Sequence, residues 1–258
     1  METNELTDVN VLFRKVFGCI DNTTLNGDDT VAKVKSLCED SIRMVFDNTR
    51  VCAVCVYPVF VKEACAALAG SGIKVASVAG AFPAGQSPID IKIKEVEYAL
   101  QEGADEIDMV ISRGSFLEGD YDKVRDEVAA IKSSCGDKTL KVILETSELK
   151  TLPNIYKAAM LAMEGGADFI KTSTGKSTAQ PVEDAPQTML QAIKDYECKT
   201  GRLVGFKAAG GISTIDEMLK YARLAEKMMG MEYITNQKFR IGSSRLAGIL
   251  YAAIATKI

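Results

Sequence analysis

The stretch Phe169-Ile170-Lys171-Thr172-Ser173-Thr174-Gly175-Lys176 runs from apolar residues into a lysine, then into three hydroxyl residues, a glycine and a second lysine. Ala167-Asp168-Phe169-Ile170 is short and apolar and follows the breaker Gly165-Gly166, so it reads as a buried strand. Lys171 then stands at the carboxyl end of a strand, with its stem in protein. Two readings are open for it. Its head reaches solvent or pairs with a carboxylate, or it is a nucleophilic amine whose pKa is lowered by burial or by another cation.

Outward from this stretch the same unit of strand, polar turn and helix recurs. Residues 6–17 form an opening helix and 17–20 a strand ending at Asp21. Asp28-Asp29-Thr30 starts a helix whose apolar positions Val31, Val34, Leu37, Cys38 and Ile42 keep helical spacing. Strands follow at 51–57, 73–79, 106–111, 140–144, 203–206 and 239–241, the one at 73–79 running into a loop with Gly80, Pro83 and Gly85. Helices fall at 59–69, 89–101, 121–133, 152–163, 182–196, 215–229 and 246–255. Strands that carry polar residues only at their carboxyl ends predict a parallel sheet covered on both faces. Eight strand–helix units in 258 residues predict one (β/α)8 barrel, a TIM barrel with a short extra N-terminal helix. With no linker or low-complexity segment, residues 1–258 read as a single domain. An open doubly wound sheet is the alternative, but no G-x-G-x-x-G follows the first strand.

Composition narrows the chemistry. The chain has no histidine, which excludes a Ser-His-Asp triad, a Cys-His dyad and His-ligated zinc or iron. Proton transfer falls to Lys, Asp, Glu, Tyr, Cys or water. A net charge of -4 without a basic stripe argues against a nucleic-acid partner. No apolar run is long enough to span a bilayer, so no membrane partner is expected. Residues 1–10 are polar and acidic, unlike a secretory signal. Seven scattered cysteines suggest reduced thiols in a cytoplasmic protein. Cys52 and Cys55 form a C-x-x-C in a strand, where odd spacing sends them to opposite faces as packing residues.

In such a barrel the carboxyl ends of the strands share one pocket. This sequence places Asp21, Thr23, Cys55, Tyr57, Asp108, Lys141, Glu145, Lys171 and Lys207 there. Lys141 and Glu145 share parity and hence one face. An amine that attacks a carbonyl must be neutral, and moving a lysine from about 10.4 to about 7 takes roughly 4–5 kcal/mol. Lys171 and Lys207 lie on adjacent predicted strands, and Asp108 is placed to shuttle protons. A Lys–Asp–Lys network that only holds the barrel together is the alternative. Ala208-Ala209-Gly210-Gly211 follows strand seven, and Gly242-Ser243-Ser244-Arg245 follows strand eight at a helix start. Barrels often bind phosphate there, through backbone N–H groups, with serine hydroxyls, Lys176 or Arg245 adding contacts. Ordinary turn glycines and a serine N-cap are the bland reading.

Several segments resemble the deoxyribose-phosphate aldolases, class I Schiff-base aldolases with a TIM-barrel fold. Asp21 to Leu25 is similar to that family's D-x-T-x-L, Cys55-Val56-Tyr57-Pro58 to its C-x-Y-P, and Gly103 to Asp108 to its G-A-D-E-[IV]-D. KVILETSEL from Lys141, FIKTSTGK from Phe169, VGFKAAGG from Val204 and RIGSS from Arg240 resemble its remaining motifs. The resemblance implies that Lys171 forms an imine, Lys207 lowers its pKa and Asp108 joins a proton relay. It places Thr172, Gly175, Gly210, Gly211 and Ser244 on the substrate or phosphate site. The implied reaction is reversible cleavage of 2-deoxy-D-ribose 5-phosphate to acetaldehyde and D-glyceraldehyde 3-phosphate, with no metal or organic cofactor. The family role is salvage of deoxynucleoside carbon in the cytoplasm, and an outer ring of amphipathic helices can support a homodimer or higher homo-oligomer.

Two departures stand out. Arg245 falls where the family often has a second serine, and a guanidinium there grips phosphate or alters substrate choice. Some members also end in a tyrosine that assists proton transfer. The sequence ends at Ile258 without one, so that step is expected to fall to Asp108 and water.

Overall fold

The computed structural model describes residues 7–255. Eight parallel strands close into a barrel in chain order. They are β1 (Ile20–Thr23), β2 (Ala53–Val56), β3 (Lys74–Ala79), β4 (Glu106–Val110), β5 (Thr139–Ile143), β6 (Phe169–Lys171), β7 (Gly205–Ala209) and β8 (Phe239–Ser243). The seam is a parallel pairing of β1 with β8, Asp21 opposite Gly242. The helix α1 (Val9–Phe17) precedes the barrel. Around it run α2 (Val31–Arg43), α3 (Val61–Leu68), α4 (Ile89–Gln101), α6 (Tyr121–Cys135), α8 (Leu152–Glu164), α9 (Ala185–Thr200), α10 (Ile215–Met229) and α11 (Leu246–Ala255). Two short helices, α5 (Arg113–Leu117) and α7 (Thr146–Leu149), follow β4 and β5.

Alternation along the strands sorts side chains into two cores. Val54, Val56, Ile107, Met109, Val142, Ile170, Phe206 and Ile241 point outward and join the large cluster beneath the helices. Each such side chain contributes about 1.5–3 kcal/mol by leaving water. Inside the barrel, Ala53, Cys55, Ala76 and Val78 with Leu25 form a small apolar cluster on the β2–β3 side. The interior of β4 to β8 and β1 carries charged side chains instead. Outside the barrel one more buried ion pair, Lys92 to Glu127 at 2.8 Å, joins α4 to α6.

Several boundaries differ from the sequence reading, each for a local reason. The part of the opening helix expected at Leu6 lies outside the described residues, and α1 begins at Val9 behind Asp8, whose side chain accepts from the Asn10 N–H. Phe17 ends α1 instead of starting a strand, so Asp21 sits within β1. Lys207 likewise lies inside β7 and not after it. Helix α9 starts at Ala185 and not at 182, because Asp184 is left-handed and Pro186 favours the first turn. The helix expected over 59–69 begins with a 3-10 turn, Pro58–Phe60. Neither short helix was anticipated; each is barely more than one turn, too brief to show a period.

Candidate active site

Register brings the site together. Lys171 of β6 is the direct neighbour of Lys207 on β7, and Asp108 of β4 is the neighbour of Lys141 on β5. All point into the barrel. Inside, Asp108 Oδ2 accepts from Lys171 Nζ and from Lys207 Nζ, both at 2.7 Å. Its Oδ1 accepts from Lys141 Nζ at 2.7 Å. Lys207 also donates to Asp21. One layer down, Lys141 meets Glu106 at 2.6 Å, and Arg240 bridges Asp21 at 2.6 Å and Glu106 at 2.8 Å. Lys74 reaches Glu106 from the half-exposed barrel floor at 2.9 Å.

Two glycines make room for this packing. A Cβ on Gly205 would stand 2.3 Å from the Phe169 ring, which fills the barrel below Lys171. A Cβ on Gly242 would stand 3.1 Å from Lys207 Cε, so the strand glycine leaves passage for the lysine stem.

The cluster is unevenly matched. Lys141, Lys207 and Arg240 each touch two or more carboxylates, whereas Lys171 touches Asp108 alone. Asp21, Glu106 and Asp108 together balance three buried cations, and Lys171 is the fourth. A buried charge without its own partner is costly, and a lysine relieves the cost by losing its proton. The pKa directions agree. Burial lowers Lys171 below the usual lysine value and Lys207 lowers it further, against the opposing pull of Asp108. Burial is therefore the leading cause, ahead of the neighbouring lysine that the family resemblance stresses. Burial also acts against charge on Lys207, but Asp108 and Asp21 reverse it and raise its pKa. Lys141 is raised in the same way by Asp108, Glu106 and Asp21. Burial works against ionisation of Asp108, yet Lys141, Lys171 and Lys207 hold it well below the usual carboxylate range. Burial pushes the Cys55 thiol up to about 11, leaving it neutral.

Above the cluster opens a cavity of about 370 Å³ with Lys171 at its base. Thr23, Gly175, Lys176, Gly210, Gly211, Ser243, Ser244 and Arg245 line it. Gly210 has φ 94°, and a Cβ there would lie 2.9 Å from the Ser173 Cβ, so only glycine fits the turn. Lys176, Ser244 and Arg245 are exposed at the rim, and their side chains make no ion pair or hydrogen bond among the described residues. Ser243 is occupied differently. Its hydroxyl donates to Ile212 O at 2.6 Å and accepts from the N–H of Arg245 and Leu246 at 3.2 and 3.1 Å. It caps α11, the bland reading of that serine, while Ser244 and Arg245 remain free for an anion.

Other expected contacts lie away from this cavity. Asp21, Cys55 and Lys141 sit beneath it, fully buried, and Lys141 is saturated by carboxylates. The Thr172 hydroxyl is spent on Ala209, donating to its carbonyl at 2.9 Å and accepting from its N–H at 3.0 Å. Thr172 lines a second cavity of about 320 Å³, behind the loops after β6 and β7. Equal parity put Glu145 beside Lys141, but β5 ends at Ile143 and Glu145 has left-handed φ 53°. Its carboxylate turns to Thr174 instead. Glu106 and Arg240 were missed as members of the cluster. Their signal was available: charged residues with the inward parity of Asp108 and Gly242.

Comparison with known proteins agrees with this fold. Residues 15–237 match the DeoC/LacD family aldolase profile. The deoxyribose-phosphate aldolase of Mus musculus is 45% identical over 240 residues, covering 88% of this chain and 76% of the mouse protein. A Caenorhabditis elegans protein provisionally given the same name is 46% identical, over 90% of this chain and 78% of its own. Among solved structures, a Toxoplasma gondii chain, also provisionally named deoxyribose-phosphate aldolase, superposes with a TM-score of 0.84 at 26% identity, covering 96% of this chain and 95% of that one. By matched length, barrel and kinship, this chain belongs to the DeoC/LacD family of aldolases.

Proposed function

We propose that the protein is a Schiff-base aldolase that reversibly cleaves 2-deoxy-D-ribose 5-phosphate to acetaldehyde and D-glyceraldehyde 3-phosphate. One observation carries the reading: Lys171 is a buried amine of lowered pKa, 2.7 Å from Asp108, at the base of a cavity rimmed by cations and hydroxyls.

The neutral Lys171 amine attacks C1 of the open-chain sugar, and the resulting carbinolamine loses water to give a protonated imine. Asp108 lies within hydrogen-bond reach of that nitrogen's position and Lys207 within reach of Asp108, so the two carry protons between it and water. A base then takes the proton of the C3 hydroxyl. The C2–C3 bonding pair flows into the iminium, giving an enamine and free D-glyceraldehyde 3-phosphate. Protonation of the enamine at C2 and hydrolysis release acetaldehyde and restore the amine. Lys176, Ser244 and Arg245, with the backbone of Gly210 and Gly211, hold the phosphate at the cavity mouth. All seven cysteines are free thiols, which supports a reducing, cytoplasmic setting. Among the described residues no helix is long and apolar enough to cross a membrane.

The test is reduction with borohydride in the presence of acetaldehyde or the sugar phosphate, followed by peptide mapping. The expected result is a stable adduct on Lys171 and on no other lysine. An unmodified Lys171 in an enzyme that still releases acetaldehyde would overturn the mechanism.

A further inference from the structure

Glu145 is nearly fully buried yet takes no part in the cluster beneath Lys171. Its left-handed backbone is strained for a residue with a side chain. That bend sends the carboxylate across to the loop after β6. There it accepts the Thr174 N–H at 3.0 Å and also the Thr174 hydroxyl. Thr174 Oγ1 in turn accepts the N–H of Lys176 at 3.0 Å. From the other side Arg113 Nη1 stands 3.7 Å from the carboxylate, while Arg113 Nη2 donates to Ala84 O at 3.0 Å.

The loop from 173 to 184 has no helix or strand, and Thr174 is the one buried residue in it. The Glu145–Thr174 pair is also its one side-chain hydrogen-bond tie to the rest of the described protein. Gly175 and Lys176, immediately beyond the tie, line the cavity above Lys171. A lysine on an untethered loop offers its ammonium to solvent over a wide arc. Pinning its backbone confines that charge to the cavity mouth.

We propose that Glu145 is a positioning residue for the phosphate end of the substrate, acting through Thr174 on Gly175 and Lys176. This rests on the phosphosugar reading of the cavity. Glu145 reaches neither Lys171 nor the reacting carbons, so its effect falls on recognition of the phosphate and not on bond cleavage.

The experiment compares 2-deoxyribose 5-phosphate with unphosphorylated 2-deoxyribose in Glu145→Gln, Thr174→Val, Thr174→Ser and Lys176→Met, following acetaldehyde release. Glu145→Gln and Thr174→Val should raise KM for the phosphorylated sugar roughly tenfold with kcat within about threefold. Their kcat/KM for the unphosphorylated sugar should stay within about threefold. Thr174→Ser keeps the hydroxyl and should restore most of the loss. Glu145→Gln combined with Lys176→Met should cost little more than Lys176→Met alone, because both remove one contact. Equal losses on both sugars, or additive effects of the two changes, would overturn the inference while the aldolase reading stands. Should Glu145→Gln fail to fold, the valine and serine variants at Thr174 decide alone. A wild type that releases no acetaldehyde from either sugar overturns the proposed function, and this inference with it.

Discussion

The barrel interior and the rim above it treat charge in opposite ways. In the interior, Lys141, Lys207 and Arg240 are locked against Asp21, Glu106 and Asp108, with no water-exposed surface to speak of. At the rim, the side chains of Lys176, Ser244 and Arg245 stand exposed without polar partners among the described residues. The first arrangement is matched within the protein; the second leaves two cations and a hydroxyl open to a ligand. Lys171 sits at the boundary, with one carboxylate below and the cavity above. The reactivity proposed for it follows from that position, since the matched layer leaves no countercharge to spare for a third protonated amine.

Changes that cross this boundary should have the largest effect. Lys171→Leu should cut turnover by roughly 10⁴-fold or more, because no other interior amine is both neutral and open to the cavity. Steady-state acetaldehyde release measures this, and borohydride should then leave no adduct. Within the matched layer the effect should be on stability. Glu106→Gln takes one carboxylate from both Lys141 and Arg240, leaving the buried layer one negative charge short, and should cost about 3–5 kcal/mol in denaturant unfolding. Lys141 and Arg240 hold Glu106 below the usual carboxylate range against its burial, so its contribution is present above about pH 4.3 and lost as pH falls below it. The variant should therefore lose less stability than wild type between about pH 4 and pH 2.

A third change sharpens the boundary itself. Lys207→Met removes a cation that lowers Lys171 and frees Asp108 to raise it. Both act in one direction, so the acid limb of kcat/KM should move to higher pH by about one unit or more. A limb that stays in place would assign the lowered pKa to burial alone. The smallest effect belongs to the rim. Arg245 is exposed, so Arg245→Ala should raise KM for the phosphorylated sugar only a few fold, about 1 kcal/mol or less.

Sequence reasoning reached the barrel because its units are periodic and its strands end in polar residues. It brought Lys171, Lys207 and Asp108 together in the interior because each is a charge set in, or closing, an otherwise apolar strand. It lost Glu145, since alternation holds only while the backbone stays extended, and a left-handed residue two positions past β5 redirects the side chain. It lost Glu106 and Arg240 because a charge at the start of a strand looks like an exposed end. Only barrel closure shows that these two meet across the interior. The double duty of Ser243 and Ser244 was also hidden, as nothing in two adjacent serines tells which one caps the helix.

Closure of the seam has a consequence for how the protein is made. Arg240 reaches Asp21 across 219 positions of sequence, and it belongs to the last strand to leave a ribosome. Until β8 docks, Asp21 and Glu106 lack that guanidinium, and the barrel wall that completes the burial of Lys171 is missing. A chain still lacking β8 is therefore expected to hold Lys171 closer to an ordinary protonated amine.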